Sequence, residues 1–175
     1  MKHNFLSTVL LLASVILLTL SCQKDVSRQE QPQEEIATAI GTANNPTFNL
    51  EVILRGEDGR LGHIKFRQNV DPSKIIVLDT WVRDLEPNHQ YLLQRAVDAA
   101  NVVDGDCTST SWLTLGKGLT PQSILTDDNG TGSEELWRDV SAVASGSAFD
   151  IHFRIVDATT MAVVLTSDCY QYVVR

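Results

Sequence analysis

Phe149-Asp150-Ile151-His152-Phe153-Arg154-Ile155 decides how this chain is read. Its apolar residues fall at every second position, with Asp150, His152 and Arg154 between them. Successive side chains of a strand point to opposite faces, so a period of two sets an apolar face on a core and a polar face outward. The same period recurs upstream. Leu50, Val52 and Leu54 alternate with Glu51 and Arg55, and Ile64 and Phe66 with His63, Lys65 and Arg67. Further strands are predicted over 75–82, 91–97, 111–115, 134–140 and 163–173. Turn signals separate them: Gly56-Glu57-Asp58-Gly59, Asp71-Pro72, Glu86-Pro87-Asn88 and Asn129-Gly130. From residue 47 onward no window of ten or more residues carries a helical stripe. The expected fold is all-β, an antiparallel Greek-key β-sandwich of seven or eight strands filling residues 47–175.

Ahead of that domain the composition changes twice. Residues 22–46 include Gln29-Glu30-Gln31-Pro32-Gln33-Glu34-Glu35, polar, acidic and without aromatics, the composition of a flexible linker. Residues 1–21 open with Lys2 and His3 and continue as an uncharged apolar run from Phe5 to Leu20. As a helix that run would reach about 24 Å, short of the ~30 Å hydrocarbon core of a bilayer. Length and flanks fit a cleaved signal peptide. It ends at Thr19-Leu20-Ser21-Cys22, which resembles a bacterial lipobox. The resemblance implies that Cys22 carries the lipid and becomes the first residue of a mature, outer-membrane lipoprotein. Gln23-Lys24-Asp25 resembles a short export signal that sends such lipoproteins to the cell surface. Acyl chains contribute about 0.8 kcal/mol per buried methylene, so two or three of them anchor firmly.

Charge and cysteines narrow the partners. Residues 1–21 hold Lys2 and no acid, so their removal takes the net charge from −8 to −9. An acidic domain repels nucleic acid and anionic lipid, and neither is an expected partner. With Cys22 assigned to lipid, Cys107 and Cys169 are left as an even pair in an exported chain, where the simplest outcome is a disulfide.

Leu85-Glu86-Pro87-Asn88-His89-Gln90-Tyr91 resembles the Leu-x-Pro-x-x-x-Tyr tyrosine corner of fibronectin type III and immunoglobulin-like domains. That likeness implies a Tyr91 hydroxyl bonded to the upstream backbone, pinning a strand crossover. A longer order of features, Leu85 to Tyr91, Cys107, Leu115-Gly116 and Thr126-Asp127-Asp128-Asn129-Gly130, looks like chordin-domain and superoxide-dismutase-like Greek-key sandwiches.

Catalytic and cofactor motifs are sparse. Dismutase chemistry needs clustered histidines, whereas His63, His89 and His152 are isolated in sequence, so no metal or other cofactor is assigned. Asp127 to Gly132 fails an EF-hand in both registers, since a glycine at Gly132 puts Arg138 where the closing Glu belongs; it reads as a hairpin turn. Gly146-Ser147-Ala148 lacks the second glycine of a nucleophile elbow, and the neighbours Glu134 and Glu135 point to opposite faces of a strand. No catalytic residue is named, and the chain leans away from enzymes. Trp137, in phase with Glu135 and Asp139, and Trp112, alternating with Leu113, are the candidate ligand contacts, suited to a glycan or a protein. The expected function is a lipid-anchored envelope module for binding or structure. The alternatives are a hydrolase or metal-dependent enzyme on the same frame, or an accessory subunit of an outer-membrane complex.

Overall fold

The computed structural model describes residues 47–175; the expected signal peptide, Cys22 and the expected linker, residues 1–46, lie outside them. Apart from one 3-10 turn, every regular element described is a strand. In chain order these are β1 (Phe48–Arg55), β2 (Leu61–Gln68), β3 (Ile75–Arg83), β4 (Gln90–Val97), β5 (Leu113–Thr114) and β6 (Gly116–Lys117). They continue as β7 (Thr120–Pro121), β8 (Ser123–Leu125), β9 (Gly132–Asp139), β10 (Ala148–Asp157), β11 (Val163–Ser167) and β12 (Tyr170–Val173).

The all-β reading holds, but there are twelve strands in one sheet where seven or eight were expected. The order is β5-β4-β10-β11-β1-β2-β3-β9-β6-β7, with β12 also on β10 and β8 also on β4. The sheet curls until it is nearly barrel-shaped. β8 lies against β4, and just beyond β8 the bridge between Thr126 and Gly132 reaches the start of β9. The pairing is mixed, because β6 meets β9 in parallel at Lys117 and Trp137. The extra strands are β6, β7 and β8, of two or three residues each, too short to show any period. The predicted strand over 163–173 is broken into β11 and β12. There the Ser167 hydroxyl accepts the Phe153 amide at 2.9 Å in place of a backbone carbonyl.

Alternation sets the core. β1, β2, β3 and β9 turn Val52, Leu54, Ile64, Phe66, Leu78 and Leu136 inward. β4 and β10 answer with Leu93, Phe153 and Ile155. Phe66 is the hub of an aromatic cluster, edge-on to Phe48, Phe153 and Tyr172 at centroid distances of 5.8, 6.3 and 4.9 Å. At 2% exposure it gains the full transfer free energy of a core side chain, roughly 1.5–3 kcal/mol.

Two connections place the functional surfaces. Consecutive strands β3 and β4 do not pair; β4 instead lies along β10, so the chain crosses the barrel at residues 84–89. The Tyr91 hydroxyl, buried under this corner, accepts the Glu86 amide at 3.1 Å. Gly130 closes the neighbouring β8–β9 turn at φ +73°, where a Cβ would stand 2.1 Å from the Leu85 carbonyl oxygen, so only glycine fits there.

The second connection is the loop 98–112, which covers the outer face of β4 and β10. Asp98 takes the Thr108 and Ser109 amides, and Asp150 takes those of Asp104 and Gly105. The Cys107–Cys169 disulfide, Cα to Cα 5.4 Å, ties the loop to the bend between β11 and β12. Asp150 stands on the polar phase of its strand and is nevertheless fully buried.

Candidate functional site

The two tryptophans singled out from the sequence have different fates. Trp112 belongs to the covered face. It is half-buried over the His152 ring at 4.5 Å, with the Arg154 guanidinium 4.0 Å from its centroid. Its ring packs on His152 and Arg154 of β10, so part of its aromatic surface is engaged by the chain itself. Trp137 is 37% exposed, on the outer face of the half formed by β1, β2, β3 and β9.

That outer face is built by the alternation that builds the core. Register across the four strands gives it three rows: Asn49, Arg67, Val77 and Trp137; then Glu51, Lys65, Asp79 and Glu135; then Ile53, His63, Trp81 and Ser133. Trp81 is 41% exposed, and the His63 ring stacks on it at 5.7 Å and 19°. The His63 ring also pairs through Nε2 with Glu51. Trp137 opposes Val77, four residues along β3 from Trp81, so the two indoles stand about 13 Å apart along the strand direction.

The seat of Trp137 depends on a glycine. Gly118, at φ +67°, lies so close that a Cβ there would sit 2.8 Å from the indole Cη2. The six-membered ring of the indole therefore rests against backbone of the β6–β7 turn, while the side chain as a whole stays exposed. Between the two tryptophans lie carboxylates of differing availability. Asp79 is paired with Arg67, whereas Glu135 is exposed and has no ionic partner among the described residues. The result is an outward face with an aromatic side chain at each end and hydrogen-bond acceptors between them.

Trp81 was absent from the sequence-level candidates, although its signal was there. It is in phase with Asp79 and Arg83, on the polar side of a strand whose apolar side is Ile76, Leu78 and Val82. What no strand pattern carries is that Trp81 and Trp137 share a face, because that depends on β3 pairing with β9 across about fifty residues.

The histidines remain apart, and among the described residues no three of His, Cys, Asp or Glu converge as metal ligands. His89 makes the closest approach to a catalytic arrangement, with Nε2 2.6 Å from Asp157 and Nδ1 3.9 Å from Glu86. A nucleophilic triad needs a hydroxyl on the ring nitrogen opposite the acid, and here that side faces a second, largely exposed acid. Asp157 is also committed to the turn before β11. The Thr160 amide first, then the Thr159 amide and the His89 ring, hold its carboxyl down to about 2. The Asp127 carboxylate is likewise used up by the turn it opens, accepting the Thr131 and Asn129 amides, which lower its pKa. The acids that looked like sites organise turns.

The chain matches no protein-family model, no curated protein and no solved structure.

Proposed function

We propose that this chain is a lipid-anchored binding module of the bacterial cell envelope, and that its platform of Trp81, His63 and Trp137 takes a neutral glycan. The observation that carries the reading is two outward tryptophans on one face of the sheet with the Glu135 carboxylate between their rows. Indole faces suit the apolar faces of sugar rings, and Glu135 and Ser133 suit their hydroxyls. The acidic net charge disfavours anionic polysaccharides.

The frame is read as a Greek-key sandwich whose halves meet along the β11–β1 pairing, with the tyrosine corner at Tyr91 as the crossover that favours this description. Cys22 carries the lipid, residues 22–46 are the tether, and Gln23-Lys24-Asp25 directs the module to the outer surface of the outer membrane. This anchoring predicts that a labelled fatty acid fed to cells enters the protein and that Cys22→Ala abolishes the label. Label persisting in the Cys22→Ala protein would remove the anchor from this position.

For the platform, binding to an array of neutral oligosaccharides is measured by titration calorimetry. Trp81→Ala and Trp137→Ala are each expected to weaken binding roughly tenfold or more, about 1.4 kcal/mol, with little change in thermal midpoint. Trp112→Ala should leave binding unchanged. Failure of the array to bind the wild-type domain, or a large loss of stability in the Trp81 and Trp137 variants, would overturn the glycan reading.

A further inference from the structure

The barrel interior contains a second, unrelated opportunity. A cavity of about 170 Å³ lies between the two halves, walled by Phe66, Phe149, Phe153, Leu115 and Val143 among others. Two cationic side chains break this apolar wall, Arg95 from β4 and Arg138 from β9. Both occupy inward positions of their strands. Arg138 donates to the Gly118 carbonyl at 3.2 Å; the Arg95 side chain has no hydrogen bond or ion pair among the described residues. Among the described residues no carboxylate side chain lines the cavity. The acid that feels Arg138 is Asp139, which points to the opposite, outer face.

This arrangement is costly without a counter-ion. Withdrawing a guanidinium from water carries a penalty of several kcal/mol unless an anion faces it, and a second cation nearby adds repulsion. Burial, followed by the charge of Arg138, accordingly lowers the pKa of Arg95. The chain has an excess of acids, and none among the described residues lines the cavity beside the pair.

We infer that the cavity is a binding site for a small apolar monocarboxylate of about one aromatic ring, its carboxylate held by Arg95 and Arg138 and its body enclosed by the aromatic and aliphatic wall. Size sets the class. An apolar protein cavity of about 150 Å³ accommodates benzene, so one of this volume suits a single ring or a branched chain of similar bulk, not a long acyl chain. The head group follows from the guanidinium, whose planar fork matches a carboxylate in two parallel hydrogen bonds. Tyr172 also borders the cavity, but its hydroxyl is already donated to Gln68 at 2.6 Å, so the arginines supply the recognition.

Benzoate and its neutral isostere benzamide are the probes, titrated into the folded domain with its disulfide intact and followed by backbone amide shifts. Benzoate is expected to saturate with Kd below about 1 mM, at least tenfold tighter than benzamide, shifting amides of Val97, Leu115 and Ile151. Arg95→Met, which keeps side-chain bulk, should bring benzoate down to the level of benzamide. Equal affinity of the two probes for the wild-type protein, absence of saturable benzoate binding, or shifts confined to the outer surface would each overturn the proposal. The probe comparison on wild type stands even if the variant fails to fold. The site is independent of the glycan platform, so Trp81→Ala should leave benzoate binding intact.

Discussion

Replacing Cys107 and Cys169 together by serine is expected to destabilise the domain by about 4 kcal/mol, seen as a lower urea midpoint. The two residues are 62 apart in sequence, and closing a loop of that length removes a large share of the unfolded chain's freedom. In the folded protein the bond fastens the 98–112 loop to the β11–β12 bend, over a fully buried Asp150. The loop's other attachments include the amides taken by Asp98 and Asp150, the bonds between Asn101 and Ala148, the His152 contact to the Ser109 carbonyl and the packing of Trp112 on β10. These are formed only after folding and leave the unfolded ensemble unrestricted. One Asp150 oxygen already lacks a partner, so loosening the loop would admit water to a group that gains from it. The double variant should therefore show raised amide exchange in residues 98–112 before any change in β1 to β3. Unchanged stability would mean that the carboxylate-capped turns hold the loop by themselves.

Phe66→Ala should cost about 3–5 kcal/mol, because it deletes a buried ring and leaves a cavity beside one already present. Phe66 touches Phe48, Phe153 and Tyr172, which come from three other strands on both halves of the barrel. Small domains have about 5–15 kcal/mol in total, so this single change would consume a large fraction. Phe66→Leu keeps most of the volume and should cost clearly less. A loss below about 1 kcal/mol for alanine, in denaturant unfolding, would show that the surrounding rings collapse into the gap.

Strand phase was legible wherever a strand is long and one face meets the core. The stretch from Ile151 to Ile155 alternates as expected, and so do β2 and β3. It failed to reveal burial of the second face. Asp150 lies outward by register yet is buried, since the 98–112 loop, which has no period of its own and ends in Trp112, is laid over the outer face of β10. β10 adds a bulge at Ile155 and Val156, where both neighbours are buried and alternation is lost.

The Pro-x-x-x-Tyr spacing determined the corner at Tyr91, because a motif confined to seven residues depends on local geometry alone. An even cysteine count determined the Cys107–Cys169 bond once Cys22 was set aside. Alternation likewise determined an all-β chain, since a period of two is incompatible with a helical face. Which strands become neighbours was decided only in three dimensions, and with it everything that resembles a site. Trp81 meets the face of Trp137, and Arg95 meets Arg138, through pairings between segments far apart in sequence. Period reports which side of a strand a residue occupies, whereas a site depends on which other strand shares that side.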